Sequence, residues 1–233
     1  MASHLDIWAL ILKRKYLLSL TLLLAVTIVA SGWGLLREYH TFLVLRGTAN
    51  QRIASIIASG KNPPVPLSAR NVRELTTTCA VLQHEAPLLK REPAMRAKFS
   101  DVCAQIASAL LDTAPTNARA LAMKLMMTDS LTPSALAQAQ SAAPDEPGPL
   151  RMRINALSYV KAPSAALLDA AQPDFRRAMQ SRWGRQLLAR LYAGRADLRP
   201  ELAKAAEASS SEVQKDFVAA VKRASQPMRI SDG

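Results

Sequence analysis

The run YLLSLTLLLAVTIVASGWGLL, from Tyr16 to Leu36, contains no charged residue across 21 positions. A helix that rises about 1.5 Å per residue covers about 30 Å over this length, which is the thickness of the hydrocarbon core of a bilayer. The run therefore predicts one transmembrane helix. The compartment of every other segment follows from how this helix is oriented.

The charges beside the run predict its orientation. A compact positive cluster lies directly before it and consists of Lys13, Arg14 and Lys15. The other end begins with Arg37 and Glu38, whose charges cancel. Positive charge close to a span tends to stay in the cytoplasm. We therefore expect residues 1–15 in the cytoplasm and the C-terminal part in the periplasm, with the anchor in the inner membrane.

Small residues within the run leave a second interpretation open. Ala30, Ser31 and Gly32 follow a basic segment and an apolar segment, as the cleavage site of a signal peptide does. The apolar run continues beyond them through Trp33 to Leu36, which favours an uncleaved anchor. Both interpretations place the large C-terminal part across the membrane.

A proline-rich segment divides the chain after the span. The segment GKNPPVP, from Gly60 to Pro66, contains three prolines, which remove backbone donors and end a helix. The preceding residues lack proline and carry apolar side chains at helix-like intervals. The predicted divisions are a transmembrane helix over 16–36, a helical stalk and linker over 37–66, a folded domain over 67–225 and a tail over 226–233.

The pattern of the domain predicts helices only. Aromatic residues make up 5% of the chain while alanine recurs throughout, which favours packed helices over a sheet. Predicted helix caps are Ser68, Thr116, Thr132 and Ser210. The strongest periodic segment is predicted to begin at Pro173, and its apolar residues are Phe175, Met179, Trp183, Leu187 and Leu191. The fold class is therefore all-α, with this stripe in the core.

A regular spacing of prolines raises the question of internal repeats. Pro115, Pro144 and Pro173 are each separated by 29 residues. A fixed offset of this size can mark stacked helical hairpins. Three of fourteen prolines can also fall at equal intervals by chance, and both interpretations stay open.

Two segments resemble known families. The segment LDTAPTNARALAMKLM, Leu111 to Met126, resembles the junction between tetratricopeptide repeats, which implies an α-solenoid of stacked hairpins. The aromatic positions typical of that family are missing. One anchor, an exported helical domain and the segment LLARLYA, Leu187 to Ala193, resemble single-pass accessory proteins of bacterial polysaccharide assembly. This second resemblance implies a role in the cell envelope.

The two cysteines are candidates for a disulfide. Cys79 and Cys103 lie in segments with helical patterns, separated by turn-like residues. An even pair in an oxidising compartment tends to bond, and the bond would close a loop of 25 residues. Two free buried thiols are the alternative. Their spacing is not that of a redox or zinc motif.

The sequence offers no residue that we would assign to catalysis, to a cofactor or to a metal. It has three histidines and no HExxH, GxSxG, Walker or dinucleotide-binding pattern. His84 and Glu85 are adjacent, but neighbouring helical residues point about 100° apart, which does not suit a base and its orienting partner. We interpret His84 as a surface residue near a turn and predict a protein without enzymatic activity.

Positive charge is the best candidate for a functional surface. After the span the chain carries 27 basic and 17 acidic residues. An exported domain does not meet nucleic acid, so the expected ligands are acidic polysaccharide, anionic lipid or acidic protein surfaces. Candidate residues for an anionic partner are Arg151, Arg153, Arg176, Arg177, Arg182, Arg185 and Arg190. A generally basic, soluble exterior is the alternative.

Together these features predict a scaffold or recruiting protein of a cell-envelope assembly, with polysaccharide synthesis or export as the specific expectation. The expected partners are membrane lipid and other membrane or periplasmic proteins. The alternative is a binding module for acidic polysaccharide or anionic lipid that uses the arginine-rich last third of the chain. No cofactor is expected.

Overall fold

The fold is all-α, as predicted. A computed structural model describes residues 4–60, 65–128 and 131–226, with side chains from Tyr16 onward, and every regular element in these residues is helical. The helices are α1 (His4–Leu45), α2 (Ala49–Ser59), α3 (Ala69–Glu85), α4 (Pro87–Arg91), α5 (Pro93–Thr113), α6 (Ala118–Met127), α7 (Pro133–Ala142), α8 (Pro147–Tyr159), α9 (Ala165–Met179), α10 (Arg182–Gly194), α11 (Arg199–Glu207) and α12 (Ser211–Ala224). A 3₁₀ turn, Ala196–Leu198, joins α10 to α11.

Helix α1 has one exposed part and one buried end. Its segment Tyr16–Leu45 contains an 18-residue window with a mean hydropathy of 1.9 and is long and apolar enough to span a membrane. The large apolar side chains from Tyr16 to Leu36 are exposed, as expected for a surface that faces lipid. Val44 and Leu45 are instead buried against the domain. The side chains of Lys13, Arg14 and Lys15, which form the predicted positive cluster, lie outside the described part of the structure.

The predicted stalk packs in the core of the domain. Helix α2 follows a turn at Gly47, whose positive φ of 88° suits a residue without a Cβ. Ile53 and Ile56 of α2 are fully buried and belong to the same hydrophobic cluster as the helices that follow. The segment from Val44 to Ser59 therefore belongs to the folded domain, because α2 packs against the end of α1 and against α5. Residues 61–64 of the predicted linker and 227–233 of the tail lie outside the described residues.

From α6 to α12 the helices stack in the order of the chain. Each of these helices packs against the next, and alternate helices also pack against each other. The exception is the pair α8 and α10, whose backbones approach each other less closely. This gap is where the cleft described below opens.

Polar side chains join neighbouring helices of the stack. Some of these contacts, such as Arg153 with Asp174 and Arg195 with Ser158, span 21 and 37 positions, and six others have similar separations in sequence. In each of these six the two residues are 27 to 32 positions apart. The pairs are Ser100 with Met127, Arg119 with Glu146, Gln140 with Ala170, Gln172 with Glu201, Arg177 with Asp145 and Arg185 with Asp216. These contacts join helices that are about the length of one helical hairpin apart along the chain.

The proline spacing does not mark equivalent positions. Pro115 lies between α5 and α6, Pro144 lies between α7 and α8, and Pro173 lies inside α9. The prediction that Pro173 begins a helix is therefore wrong. Ser164 caps α9 instead, and its buried stripe continues past Pro173, where one backbone hydrogen bond is lost. The predicted periodic segment is thus two helices, α9 and α10.

Candidate functional site: a basic cleft between α3, α8 and α10

A cleft of about 360 Å³ opens between α3, α8 and α10, where α8 and α10 are separated. Its wall is mostly apolar, with a few polar and charged side chains at defined places. Residues from all three helices line it, and those used below are Val81, His84, Arg151, Asn155, Trp183 and Arg190. It combines an apolar wall with two arginines that form no ion pair in the described residues.

The wall formed by α3 is held by a disulfide. Cys79 on α3 and Cys103 on α5 are bonded, and both are fully buried. Val81 lies two positions after Cys79, on the opposite face of α3, and its side chain, which is 40% exposed, lines the cleft. The bond therefore fixes the position of α3 on the side away from the cleft, while the opposite side stays open to solvent.

The wall formed by α8 is held by a buried ion pair. Arg153 is 1% exposed and forms two hydrogen bonds of 2.9 Å to the carboxylate of Asp174 on α9. The same guanidinium donates to the carbonyl oxygens of Ala139, Ala143 and Pro144, at the end of α7 and beyond it. Arg153 thus joins α7, α8 and α9. The prediction that Arg153 belongs to a surface for an anionic partner is wrong, because its side chain is buried and its guanidinium group is hydrogen-bonded within the domain.

Arg151 lies two positions earlier on α8 and faces the cleft. Its guanidinium carbon lies 5.6 Å from the centre of the Trp183 ring on α10, within the range of a cation–π contact. The start of α10 can approach α9 closely because residue 184 is glycine. A Cβ at Gly184 would lie 2.0 Å from the carbonyl oxygen of Ala178. This close approach places Trp183 at the mouth of the cleft.

Arg151 and Arg190 are the arginines of the cleft, and neither forms an ion pair within the described part of the chain. Arg190 donates only to the carbonyl oxygen of Gln186 on its own helix. Arg177 and Arg185, by contrast, are paired with Asp145 and Asp216. Glu85 also lines the cleft, so its two guanidinium groups face one carboxylate, and neither of them is ion-paired with it.

The remaining predicted arginines lie outside the cleft. Arg176 and Arg182 are exposed and do not line it. The structure thus divides the seven predicted residues into two that share the cleft, three that form internal ion pairs and two on the general surface. The seven residues lie on α8, α9 and α10 and do not form one focused patch.

His84 also lines the cleft, and Arg96 and Arg190 lie close enough to influence its charge. Its Nδ1 is hydrogen-bonded to the hydroxyl of Tyr159. Burial lowers the pKa of His84, and positive charge on Arg96 and Arg190 lowers it further, against the opposing effect of Glu85. Burial also raises the pKa of the Tyr159 hydroxyl to about 12. His84 is therefore neutral at physiological pH and is a half-buried residue of the site, not the surface residue that we predicted.

The chemistry of the cleft suits binding of an anionic group attached to an apolar one. Two guanidinium groups offer forked donors to a carboxylate, while Val81, Met152 and Leu187 offer apolar surface. Asn155 also lines the cleft, and its Oδ1 is a buried acceptor without a hydrogen-bond partner among the described residues. Within those residues, no group of three or more His, Cys, Asp or Glu side chains is placed to hold a metal ion.

Sequence reasoning found the arginines of this site but not its aromatic or histidine members. Trp183 occupies a position of the predicted core stripe, and it is half-buried at the rim of that core. His84 and Tyr159 are 75 residues apart, and no spacing connects them. The signal that would have marked Trp183 is Gly184 beside it, since a glycine at a helix start allows a close approach.

We compared the chain with protein-family models, with curated proteins and with solved structures, and none of the three comparisons finds a match.

Proposed function

We propose that this protein is a single-pass inner-membrane scaffold without enzymatic activity, and that its helical domain recruits an acidic partner protein of a cell-envelope assembly. The observation that carries the proposal is the cleft between α3, α8 and α10, in which Arg151 and Arg190 have no carboxylate partner among the described residues. An unneutralised charge in an apolar cleft favours a ligand of opposite charge.

The stacking of the helices supports a scaffold. Hairpins held in register form an extended surface without a reactive pocket, as α-solenoids of the tetratricopeptide type do. The contacts between alternate helices and the separation of about 30 residues between joined side chains are consistent with this architecture. We therefore propose an irregular solenoid.

The location that we propose is the periplasm, with the N-terminus in the cytoplasm and the anchor uncleaved. Two observations support it: the cluster Lys13, Arg14 and Lys15 precedes the span, and Cys79 is bonded to Cys103, as is common in oxidising compartments. An alkaline phosphatase fused to the C-terminus should be active in intact cells. Activity of a cytosolic reporter at the same position would contradict this topology.

The pathway that we propose is polysaccharide synthesis or export. This step rests on the resemblance of the single anchor and exported helical domain to accessory proteins of that process. It is independent of the cleft, and a partner from another envelope assembly would leave the recruiting function intact.

Photocrosslinking in intact cells tests the recruiting function. A photoreactive phenylalanine analogue at Val81, in the cleft, is expected to capture one defined membrane or periplasmic protein. Val218 on α12 is the matched control, because it is an exposed valine (52%) that does not line the cleft. Capture at Val81 should be lost in the double variant Arg151→Glu/Arg190→Glu and retained in Arg176→Glu/Arg182→Glu. Equal capture at both valines would contradict the proposal.

A second candidate uses the same cleft. The pairing of Arg151 with the face of Trp183 would also suit a carboxylated sugar, whose ring packs on an aromatic face while its acid group meets a guanidinium. The purified full chain in detergent would then bind polygalacturonate, with an affinity that falls steeply with salt and is lost in the double variant. Failure to bind this polymer, together with capture of a protein at Val81, would leave the scaffold as the function.

A further inference from the structure

The segment that connects α2 to α3 returns to the membrane helix at the level where the span ends. An added Cβ at Gly34 would lie 3.6 Å from a methyl carbon of Leu67. Gly34 is two residues before Leu36, the last residue of the charge-free run, which corresponds to about 3 Å along the helix axis. Leu67 therefore lies beside the edge of the predicted hydrocarbon core.

Few large apolar side chains of the domain are exposed to solvent, and Leu67 is one of them. In the described part of the chain, the exposed large apolar side chains outside α1 are Leu67, Val81 and Val218. Leu67 is the most exposed of the three, at 60%, and the large apolar residues that flank Gly34 in the sequence of α1, Trp33, Leu35 and Leu36, are exposed as well. The apolar surface of Leu67 is thus continuous with the surface of α1 that faces lipid.

Glu38 holds this segment against α1. One carboxylate oxygen accepts hydrogen bonds of 2.6 Å from the backbone N–H groups of Leu67 and Ser68, and the other accepts from the Ser68 hydroxyl at 2.9 Å. The second oxygen also accepts from the side-chain amide of Asn71. A carboxylate at the N-terminus of α3 is in addition favoured by the helix dipole. We call this set of contacts the Glu38 clasp.

The clasp connects two rigid parts. Helix α1 runs without interruption from the span to Leu45, and its last turns are buried against the domain. Helix α3 begins at Ala69, directly after the clasped residues, and its first turn carries the exposed Arg70. An arginine at this level can reach lipid phosphate groups while its stem stays near the apolar edge. The domain therefore cannot tilt relative to α1 without breaking the hydrogen bonds to Glu38.

We propose that the edge of the domain formed by Leu67 and the start of α3 is a membrane-contact surface, with Leu67 immersed in the outer edge of the bilayer and the Glu38 clasp setting the orientation of the domain. The partner is the lipid bilayer itself, since the contact is continuous with the span. This inference rests on the membrane topology proposed above. In addition to the span, the domain would then contact lipid directly at Leu67, which a domain joined to the span by a flexible linker would not do.

Nitroxide labels on the full chain in phosphatidylcholine nanodiscs test the contact. The two native cysteines are bonded to each other, so one introduced cysteine is the single reactive thiol. Labels at Leu67→Cys, Leu36→Cys and Val218→Cys are compared by their relaxation with oxygen, which concentrates in hydrocarbon, and with a water-soluble nickel chelate. The label at position 67 is expected to resemble the label at 36. A label at 67 that resembles the label at 218 would overturn the proposal, whereas a water-exposed label at 36 would contradict the topology itself.

The clasp has its own test in the same system. Glu38→Ala is expected to shift the label at position 67 towards the solvent-exposed behaviour of the label at 218. Glu74→Ala is the matched control, because Glu74 is an exposed glutamate on α3 that is not part of the clasp. Retention of the Cys79–Cys103 bond and of helical circular dichroism shows that the variant is folded. An unchanged, immersed label at 67 in folded Glu38→Ala would overturn the role of the clasp.

Discussion

The two faces of α8 each carry an arginine, but the surroundings of the two arginines differ. On one face Arg153 is enclosed and satisfied by Asp174 and three carbonyl oxygens. On the other face Arg151 lies in an open cleft over Trp183 and has no ion pair in the described residues. Two positions along a helix correspond to a rotation of about 200°, so the same residue type faces core and solvent in turn. Positive charge in the sequence therefore indicates two different roles, structure and recognition.

The largest expected effect on stability is at Arg153. Arg153→Met should lower the free energy of unfolding by about 3 to 5 kcal/mol, because it leaves the buried carboxylate of Asp174 without its partner. Denaturant unfolding of the full chain in detergent, followed by circular dichroism, measures the change. The double variant Arg153→Met/Asp174→Leu should recover a large part of the loss. A double variant as unstable as the single one would mean that the carbonyl contacts, and not the carboxylate, dominate.

The next largest effect is at the opposite wall of the cleft. Replacement of both cysteines by serine should lower the free energy of unfolding by about 3 kcal/mol, because the disulfide restricts a loop of about 25 residues in the unfolded chain. The comparison is made with the wild-type protein under non-reducing conditions. A matching loss when the wild-type protein is reduced would show that the bond itself, and not the serine substitutions, is responsible.

A smaller effect is expected from pH at His84. Its pKa in the folded state is lowered from the ordinary value of 6.5, first by burial and then by nearby cations, while Glu85 opposes the shift. Below about pH 6.5 the unfolded chain binds a proton that folded His84 does not, so stability is lost as the pH falls. The groups that face this end of the cleft are Lys90, Arg96, Arg190, Glu85 and Tyr159.

His84→Gln is the variant that isolates this effect. Its stability should fall less than that of the wild-type protein as the pH is lowered from 7 to 5, since the other titrating groups are common to both. Thermal unfolding at a series of pH values measures the difference. Parallel pH profiles for the two proteins would contradict a lowered pKa for His84.

The smallest effect on stability is expected at Arg151 and Arg190. Arg151→Met and Arg190→Met should each change the free energy of unfolding by no more than about 1 kcal/mol, because both side chains are exposed and neither forms an ion pair within the described part of the protein. Loss of the contact between Arg151 and Trp183 is included in this limit. Denaturant unfolding alongside Arg176→Met, an exposed arginine outside the cleft, provides the reference. A loss comparable with that of Arg153→Met would assign Arg151 to the fold and not to a site.

Local signals in the sequence predicted the helices well. Ser68, Thr132 and Ser210 each cap the helix that follows, as predicted, because their side chains accept a hydrogen bond from the first turn. The cap predicted at Thr116 is instead Asn117, one position later. The charge-free run corresponds to the exposed part of α1. These features depend on a few adjacent residues, which is why a single sequence reveals them.

Features that depend on distant residues were not predictable in the same way. Nothing in the sequence around Arg153 distinguishes it from the other arginines, because its partner Asp174 lies 21 positions away on α9. The hydrogen bonds to Glu38 likewise join residues about 30 positions apart. Pro173 has the signature of a helix start, yet the buried stripe and the cap at Ser164 outweigh one lost hydrogen bond. The cleft itself exists because α8 and α10 stand apart, which no periodicity records.

One measurement tests the division between structure and recognition most directly. The free energy of unfolding and the yield of crosslinking at Val81 are measured together for Arg151→Met and Arg153→Met. We predict that Arg151→Met keeps wild-type stability and loses the captured partner, whereas Arg153→Met loses several kcal/mol of stability, about 3 to 5. Wild-type capture in Arg151→Met would contradict the assignment of the cleft as the recruiting site.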